Sequence, residues 1–272
     1  MSEPKNVGYH YATLPTLEKI LASHVLRFSD VRFLNDRGEY LFAIEKFREW
    51  LVTERKLSEE DADFRVKQLR SELDSRPIYV ASLSRDPDNA AMWQTYGGKS
   101  PAVAIGFDLS GWATEDAHVK GRRVREVIYA AGPQSLNQLD VQFFDSWLSD
   151  NTKFEHWLAY NELAAIKAPA FASEKEVRLT STKGQPSYFE RDGLLIPYVE
   201  DSFGDPHGHS SMHTEISTGT DLEIVKSCRK QLLPIVDVVI GPYGEQALAQ
   251  IACEDLLSDF DHELRLSKVE MR

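Results

Sequence analysis

Two carboxylates two residues apart, Glu174 and Glu176, open an extended-looking run over Val177 to Thr182. They lie in the stretch Phe171-Ala172-Ser173-Glu174-Lys175-Glu176-Val177-Arg178-Leu179. Side chains of an extended chain alternate sides, so this spacing predicts Glu174 and Glu176 on one face and Lys175 on the other. Like charges that close repel, and one carboxyl then keeps its proton to higher pH unless a cation sits beside the pair. Arg178 continues the same face and is the candidate cation. Glu174, Glu176 and Arg178 also fit a simpler arrangement, a solvated ion-pair ladder on an edge strand, because charged edges are common.

Other residue types that could do chemistry are spread along the chain. His10 sits on a short strand just before a helix, a position that in many sheets opens onto a cleft; a lone histidine there also serves as a half-buried structural residue bonded to a backbone carbonyl. Trp93 and Tyr96 are three apart in a short helix and share a face, either as core or as a stacking surface for a flat ring. His207, His209 and His213 fall in one short loop without helical spacing or a paired carboxylate motif, so no metal is expected, though three imidazoles could bind one. Cys228 and Cys253 have no partner nearby in sequence, which excludes a CxxC site or a disulfide framework.

Bulk properties bound the partners. The chain has 272 residues and a net charge of -12, which argues against broad nonspecific binding to nucleic acid or to an anionic membrane. The one basic run, Lys120-Gly121-Arg122-Arg123-Val124-Arg125, is read as a solvated turn leading into a strand. Met1 to Gly8 is short and polar, unlike a signal peptide, and no apolar run approaches a membrane span. A cytoplasmic protein is expected.

The elements that must position these residues follow from periodicity. Val7–Thr13 reads as a strand, and Leu14–Ser23 as a helix capped by Thr13 with Pro15 in its first turn. Leu26–Ser29 is a second strand. Helices follow from about Glu39 to Arg55 and from Ser58 to about Leu73, the latter with a capping-box-like start and charges that suggest a surface position. Strands are predicted at Pro77–Ser84, Ala102–Asp108, Val124–Tyr129, Leu194–Val199, Ile235–Ile240 and Glu263–Leu266. Helices are predicted at Ser135–Ser149, Thr152–Ile166, Asp221–Leu232 and Tyr243–Leu257; the aromatics Phe143, Phe144, Trp147, Phe154 and Trp157 read as core. The order shows no regular βαβ repeat. The expected fold is α+β, one mixed domain over residues 1–272, with a central, partly split β-sheet flanked by helices and a charged helical elaboration at about 39–74.

With these pieces placed, the chain resembles a widespread prokaryotic family known chiefly as a domain of unknown function. The resemblance is carried in order by Tyr9-His10-Tyr11 with Thr13, Leu34-Asn35-Asp36 with Glu39, Ser82, Met92-Trp93 with Tyr96, Gly106-Phe107-Asp108, Phe171 with Glu174-Lys175-Glu176 and Arg178, and Ile240-Gly241-Pro242. A more distant resemblance, on the first-strand His, the Thr three residues later and the late Glu-x-Glu, is to the ADP-ribosyltransferase superfold. It implies an ADP-ribosyltransferase-like core and NAD as substrate, with cleavage of the nicotinamide–ribose bond and transfer of ADP-ribose to a protein or nucleic-acid acceptor. In that picture His10 bonds the adenosine-side ribose, Tyr11 and Thr13 or its backbone assist, Trp93 or Tyr96 stacks near the nicotinamide, and Ser82 or Ser84 braces the site. Glu176 binds the nicotinamide ribose and Glu174 orients the acceptor. Losing nicotinamide develops positive charge on the ribose, which a fixed carboxylate stabilises, so neither metal nor nucleophilic cysteine is needed. The middle Ser-Thr-Ser signature of the superfold is only loosely matched by Ala81-Ser82-Leu83-Ser84. The alternatives are an NAD or nucleotide hydrolase, and a non-catalytic nucleotide- or protein-binding domain in stress or phage defence.

Overall fold

The structure, a computed structural model, describes residues 6–34, 37–97, 101–114, 117, 121–149, 161–182, 184–201, 203, 233–260 and 262–269. Among them the elements run, in chain order, β1 Val7–Thr13, α1 Leu14–Ser23, β2 Leu26–Asp30, α2 Arg37–Thr53, α3 Glu59–Ser75, β3 Tyr79–Ser84, α4 Ala90–Met92, β4 Ala102–Asp108, β5 Arg122–Glu126, β6 Ile128–Tyr129, α5 Val141–Leu148, β7 Ile166–Lys167, β8 Glu176–Ser181, β9 Ser187–Arg191, β10 Leu194–Asp201, β11 Ile235–Ile240, α6 Gln246–Leu256 and β12 Glu263–Leu266. The fold is α+β, with parallel and antiparallel pairing in its main sheet. Two compact units emerge: one holds residues 1–26, 82–120 and 200–272, the other residues 27–81 and 121–199.

In the first unit β4 lies between β1 and β11, antiparallel to both, and β12 runs parallel to β11. Six of the seven β4 residues, Ala102 to Phe107, are buried. A strand covered on both faces reads as a continuous apolar run, as this one does. Gly106 is required there because a Cβ would sit 2.8 Å from the Tyr9 ring. Helix α1 starts with Pro15 in its first turn and buries Leu17 and Ile20. Its N-cap differs from expectation: the Thr13 hydroxyl makes no cap bond and instead lies 3.0 Å from the Thr16 hydroxyl.

Beside this sheet Tyr11, Met92, Trp93, Ala102, Ala104 and Val239 form a small core. Gly241 explains the Ile240-Gly241-Pro242 signature, since a Cβ there would lie 2.9 Å from Cζ3 of Trp93 and 3.2 Å from the Ala102 carbonyl oxygen. Overpacking a rigid indole and a backbone oxygen costs about 1–3 kcal/mol. Gly241→Ala is therefore expected to lower the free energy of unfolding measured in urea by that amount. Gly111→Ala, whose Cβ meets the Phe203 carbonyl at an ordinary 3.7 Å, is the near-neutral control.

The second unit is built on α2 and α3. Ser58 caps α3, accepting from the Asp61 backbone N–H at 3.1 Å, and Glu59, Glu60 and Asp61 favour its N-terminal end. The charged helices do not stand off as a surface feature. Ala43, Ile44, Phe47, Trp50 and Leu51 of α2 and Ala62, Leu69 and Leu73 of α3 are buried, in one cluster with Phe144 and Trp147 of α5. The Phe47 ring packs 5.2 Å from Phe144 and 5.8 Å from both Trp50 and Trp147, centroid to centroid. On the outer side Arg48 joins Glu59 and Asp63.

Three boundaries of this unit depart from expectation for identifiable reasons. The single strand expected at Val124–Tyr129 breaks after Val127: its N–H still bonds the Glu176 carbonyl of β8, whereas the next N–H, that of Ile128, bonds the Ala165 carbonyl, so that β5 pairs with β8 and β6 with β7. The helix expected to end at Ile166 gives way to β7 there. β9 was not anticipated. It forms a hairpin with β10 through Asp192-Gly193, both at positive φ, the Asp-Gly turn whose twist suits a two-residue hairpin.

Candidate functional site

Glu176 opens β8 and is buried, as are all six residues of that strand. The solvated edge ladder is thereby excluded. Arg178, two residues on and on the same face, is the cation the sequence suggested: its Nε donates to Glu176 Oε1 at 2.7 Å and its Nη2 to Glu176 Oε2 at 3.3 Å. The other ends of this guanidinium reach Glu39 and the Ala164 carbonyl. A second cation, Lys167 on β7, donates to Glu176 Oε2 at 2.8 Å and lies 3.4 Å from Glu39.

Glu174 is not on the strand. It ends a 3-10 turn, Pro169–Glu174, and Lys175 follows in the left-handed region at φ 46. Period-two alternation therefore does not place it. Glu174 joins Glu176 because Lys167 bridges them, donating to Glu174 Oε2 at 2.6 Å. The Phe171 ring of the same turn lies 4.9 Å from the Lys167 ammonium, within cation–π reach. The Tyr129 hydroxyl accepts from the Glu176 backbone N–H at 2.7 Å.

The electrostatics follow from this geometry. Burial would raise the Glu176 pKa, but Arg178 and Lys167 outweigh it and bring the carboxyl down from 4.5 to about 2. The proton-retaining carboxyl expected of two unshielded neighbours is thus absent at Glu176. Burial works to lower the Lys167 pKa, and attraction by Glu176 and Glu39 with bonds to Glu174 and Glu176 reverses it and raises it. Lys167 is accordingly an ammonium and not a nucleophilic amine. The group brings together three carboxylates, Glu39, Glu174 and Glu176, and two cations, Arg178 and Lys167. Exposure is graded across it: Arg178 at 2%, Glu176 at 3%, Glu39 at 5% and Lys167 at 8% lie inside, and Glu174 at 17% is the rim.

Glu39 and Lys167 were not singled out for chemistry. Glu39 appeared only as part of an ordered motif. Lys167 is a lone lysine between Ile166 and Ala168-Pro169, and an isolated cation in an apolar run is the signal that a buried partner exists. Within the basic run, the arginines at 122, 123 and 125 face inward. Arg122 and Arg123 are buried, and Arg123 and Arg125 both reach Glu162, which is fully buried and accepts from the Asp140 backbone N–H at 3.1 Å. A solvated turn is therefore not what these arginines form.

The remaining candidates lie in the first unit. His10 on β1 is half-buried; burial lowers its pKa, opposed by a hydrogen bond to the Ser82 backbone. Ser82 itself is exposed and Thr13 half-buried. Tyr11 is buried, donating to the Asp86 carbonyl at 2.7 Å and accepting from the Asn89 N–H at 2.8 Å. Trp93 is fully buried, packed edge-on against Tyr11 at 4.6 Å with its Nε1 on Asp88 at 2.8 Å. That indole offers no face to a ligand and belongs to the core; Tyr96, half-buried against the same core, keeps part of its surface. Asp88 also accepts from the Lys268 N–H at 2.7 Å, and Tyr9, with its pKa pushed up to about 12 mainly by burial, donates to Asp237 at 2.9 Å. His207, His209 and His213 lie outside the described residues. Among the described residues no cluster of His, Cys, Asp and Glu is arranged to hold a metal ion, and no helix is long and apolar enough to cross a membrane.

A family model described as "Protein of unknown function (DUF2971)" matches residues 92–179. The match takes in Trp93, Tyr96, Lys167, Glu174, Glu176 and Arg178 and leaves out Glu39. The likeness to a family of unknown function holds over these residues. No curated protein and no solved structure matches the chain.

Proposed function

We propose that the second unit's carboxylate group is the reaction centre of an ADP-ribosyltransferase-like enzyme that cleaves the nicotinamide–ribose bond of NAD in the cytoplasm of a prokaryote. The observation that carries this reading is a carboxylate held ionised at Glu176 with a second, more exposed carboxylate beside it at Glu174. An oxocarbenium-like transition state needs a fixed negative charge, and one that stays ionised across the physiological range supplies it without prior deprotonation. In the reaction the C1′–N1 bond breaks, and its electron pair leaves on the nicotinamide nitrogen and neutralises the ring. A lone pair of a protein or nucleic-acid acceptor forms the new bond to C1′, and the acceptor's proton passes to Glu174. With water as acceptor the same residues make an NAD or nucleotide hydrolase.

One observation favours a second reading. Both Glu176 oxygens are already occupied by Arg178 and Lys167, as in an internal brace of a non-catalytic nucleotide- or protein-binding domain. Nicotinamide release from NAD by the purified protein, alone and with cell lysate, separates the two. The enzyme reading expects release, and expects Glu174→Gln to cut it by about 10²–10⁴-fold, the usual contribution of a positioned base, with the melting temperature little changed. Glu176→Gln is expected to abolish it. No release in either condition, or release indifferent to Glu174→Gln, assigns the group to the brace.

A further inference from the structure

The carboxylate group borders a pocket within the second unit. Glu39 and Arg178 line it, together with apolar side chains that include Ala43 and Ile44 of α2, Leu73 of α3 and Ile166 of β7. Its volume is about 330 Å³ counted with the part open to solvent, and its closed part has room for about one water-sized group. Nine of the ten lining residues are buried, and the exception, half-buried Tyr40, marks the mouth. Arg178 supplies the pocket with an open donor. A guanidinium has five N–H groups. Nε and one Nη2 N–H go to Glu176, the other Nη2 N–H to Glu39, and one Nη1 N–H to the Ala164 carbonyl. Among the described residues the second Nη1 N–H meets no acceptor. The Nη1–Nη2 edge is the part that meets the pocket, since its partners Ala164 and Glu39 both line it and Glu176, the partner of Nε, does not.

The neighbours of that donor decide what it can hold. The charge of Arg178 is already matched by Glu39 and Glu176, so an added anion would be repelled by both carboxylates. An added cation would lie against the guanidinium, and the apolar walls offer neither charge a partner. The occupant is therefore uncharged, with an acceptor oxygen at one end and an apolar body. A carbonyl oxygen suits the closed part: it is no larger than a water, accepts from the Nη1 N–H, and carries no proton that needs a second partner. The body then lies against Ala43, Ile44, Leu73 and Ile166 toward the mouth. We propose that this pocket binds a small uncharged carbonyl compound, its oxygen accepting from Arg178 Nη1. The proposal does not rest on the enzyme reading, and its test needs no turnover.

Methyl and arginine side-chain NMR of the full chain, titrated with three probes that share one ring, provides that test. Cyclohexanone is expected to shift the Ile44, Leu73 and Ile166 methyls and the Arg178 guanidinium resonances saturably, with half-saturation on the order of 1 mM. Methylenecyclohexane has the same shape without the acceptor, and cyclohexanecarboxylate adds a charge. Each is expected to bind at least about tenfold more weakly, the scale of one hydrogen bond to a charged donor. Ala43→Val narrows the pocket and is expected to weaken cyclohexanone binding at least about tenfold, as overpacking a tight site does. The three probes on the unmodified protein decide the matter even where that variant folds poorly. No saturable shift, or shifts as large at Leu17 and Ile20 of the first unit, overturns the site. Equal binding of methylenecyclohexane overturns the carbonyl and leaves an apolar cavity, and tighter binding of the carboxylate overturns the uncharged class. Cyclohexanone affinity unchanged in a folded Ala43→Val protein places the binding elsewhere and overturns the pocket.

Discussion

Arg178→Met is expected to destabilise the protein by about 3–5 kcal/mol in urea unfolding, the range found when one partner of a buried ion pair is removed. The side chain is 2% exposed and its guanidinium bonds Glu176, Glu39 and the Ala164 carbonyl. Methionine fills much of the volume, so the loss arises from two carboxylates left in a low-dielectric interior with Lys167 as their remaining cation. The cause has a signature: Glu39→Gln together with Glu176→Gln, placed in the Arg178→Met background, removes the stranded charges and recovers part of the loss. Arg178→Lys is expected to resemble Arg178→Met more than the parent, because an ammonium cannot span three acceptors in the plane of a guanidinium fork. A loss below about 1 kcal/mol for Arg178→Met would place this group in water and refute the buried geometry.

How far the sequence disclosed this arrangement depends on which physical signal each residue carries. Strands buried on both faces, such as β4 and β11, announce themselves as apolar runs, and β1, α1, β4, β11 and β12 lie where periodicity puts them. The pairing of Glu176 with Arg178 was legible because two-residue spacing is the period of a strand. Glu174 was assigned to the same face by that argument and reaches Glu176 by another route, through a lysine that a strand period cannot reveal. Glu39 lies in a helix more than a hundred residues away in sequence, and no local pattern connects it to Arg178. The aromatic residues show the opposite failure. Trp93 and Tyr96 at helical spacing fit a ligand platform or a core equally well from the sequence, and burial decides for the core at Trp93. Arg123 and Arg125 misled for the same reason, since charge in sequence is usually charge at the surface, and here Glu162 draws them inward.

Acid sensitivity gives the second large effect. The Glu176 carboxyl titrates at about 2 in the folded protein, against 4.5 ordinarily. A carboxyl whose folded pKa is depressed contributes stability that is fully present above the unfolded value and is lost as pH falls through the folded one. The window is therefore between about 4.5 and about 2, and linkage sets the contribution at about 3 kcal/mol. Glu162 acts with the opposite sign: burial raises its pKa, so its contribution is present at low pH and is lost as pH rises through the folded value. The difference between the parent and Glu176→Gln cancels Glu162, which both proteins carry, and isolates Glu176. The stability of the parent is expected to fall more steeply than that of Glu176→Gln below pH 4.5, with an accumulated difference of about 3 kcal/mol near pH 2. Because Glu176 is buried, added salt screens its ion pairs little, and the difference is expected to persist at high ionic strength. Parallel stability curves for the two proteins over this window would mean that Glu176 is not held by the two cations, which removes the ionised carboxylate on which the proposed chemistry depends.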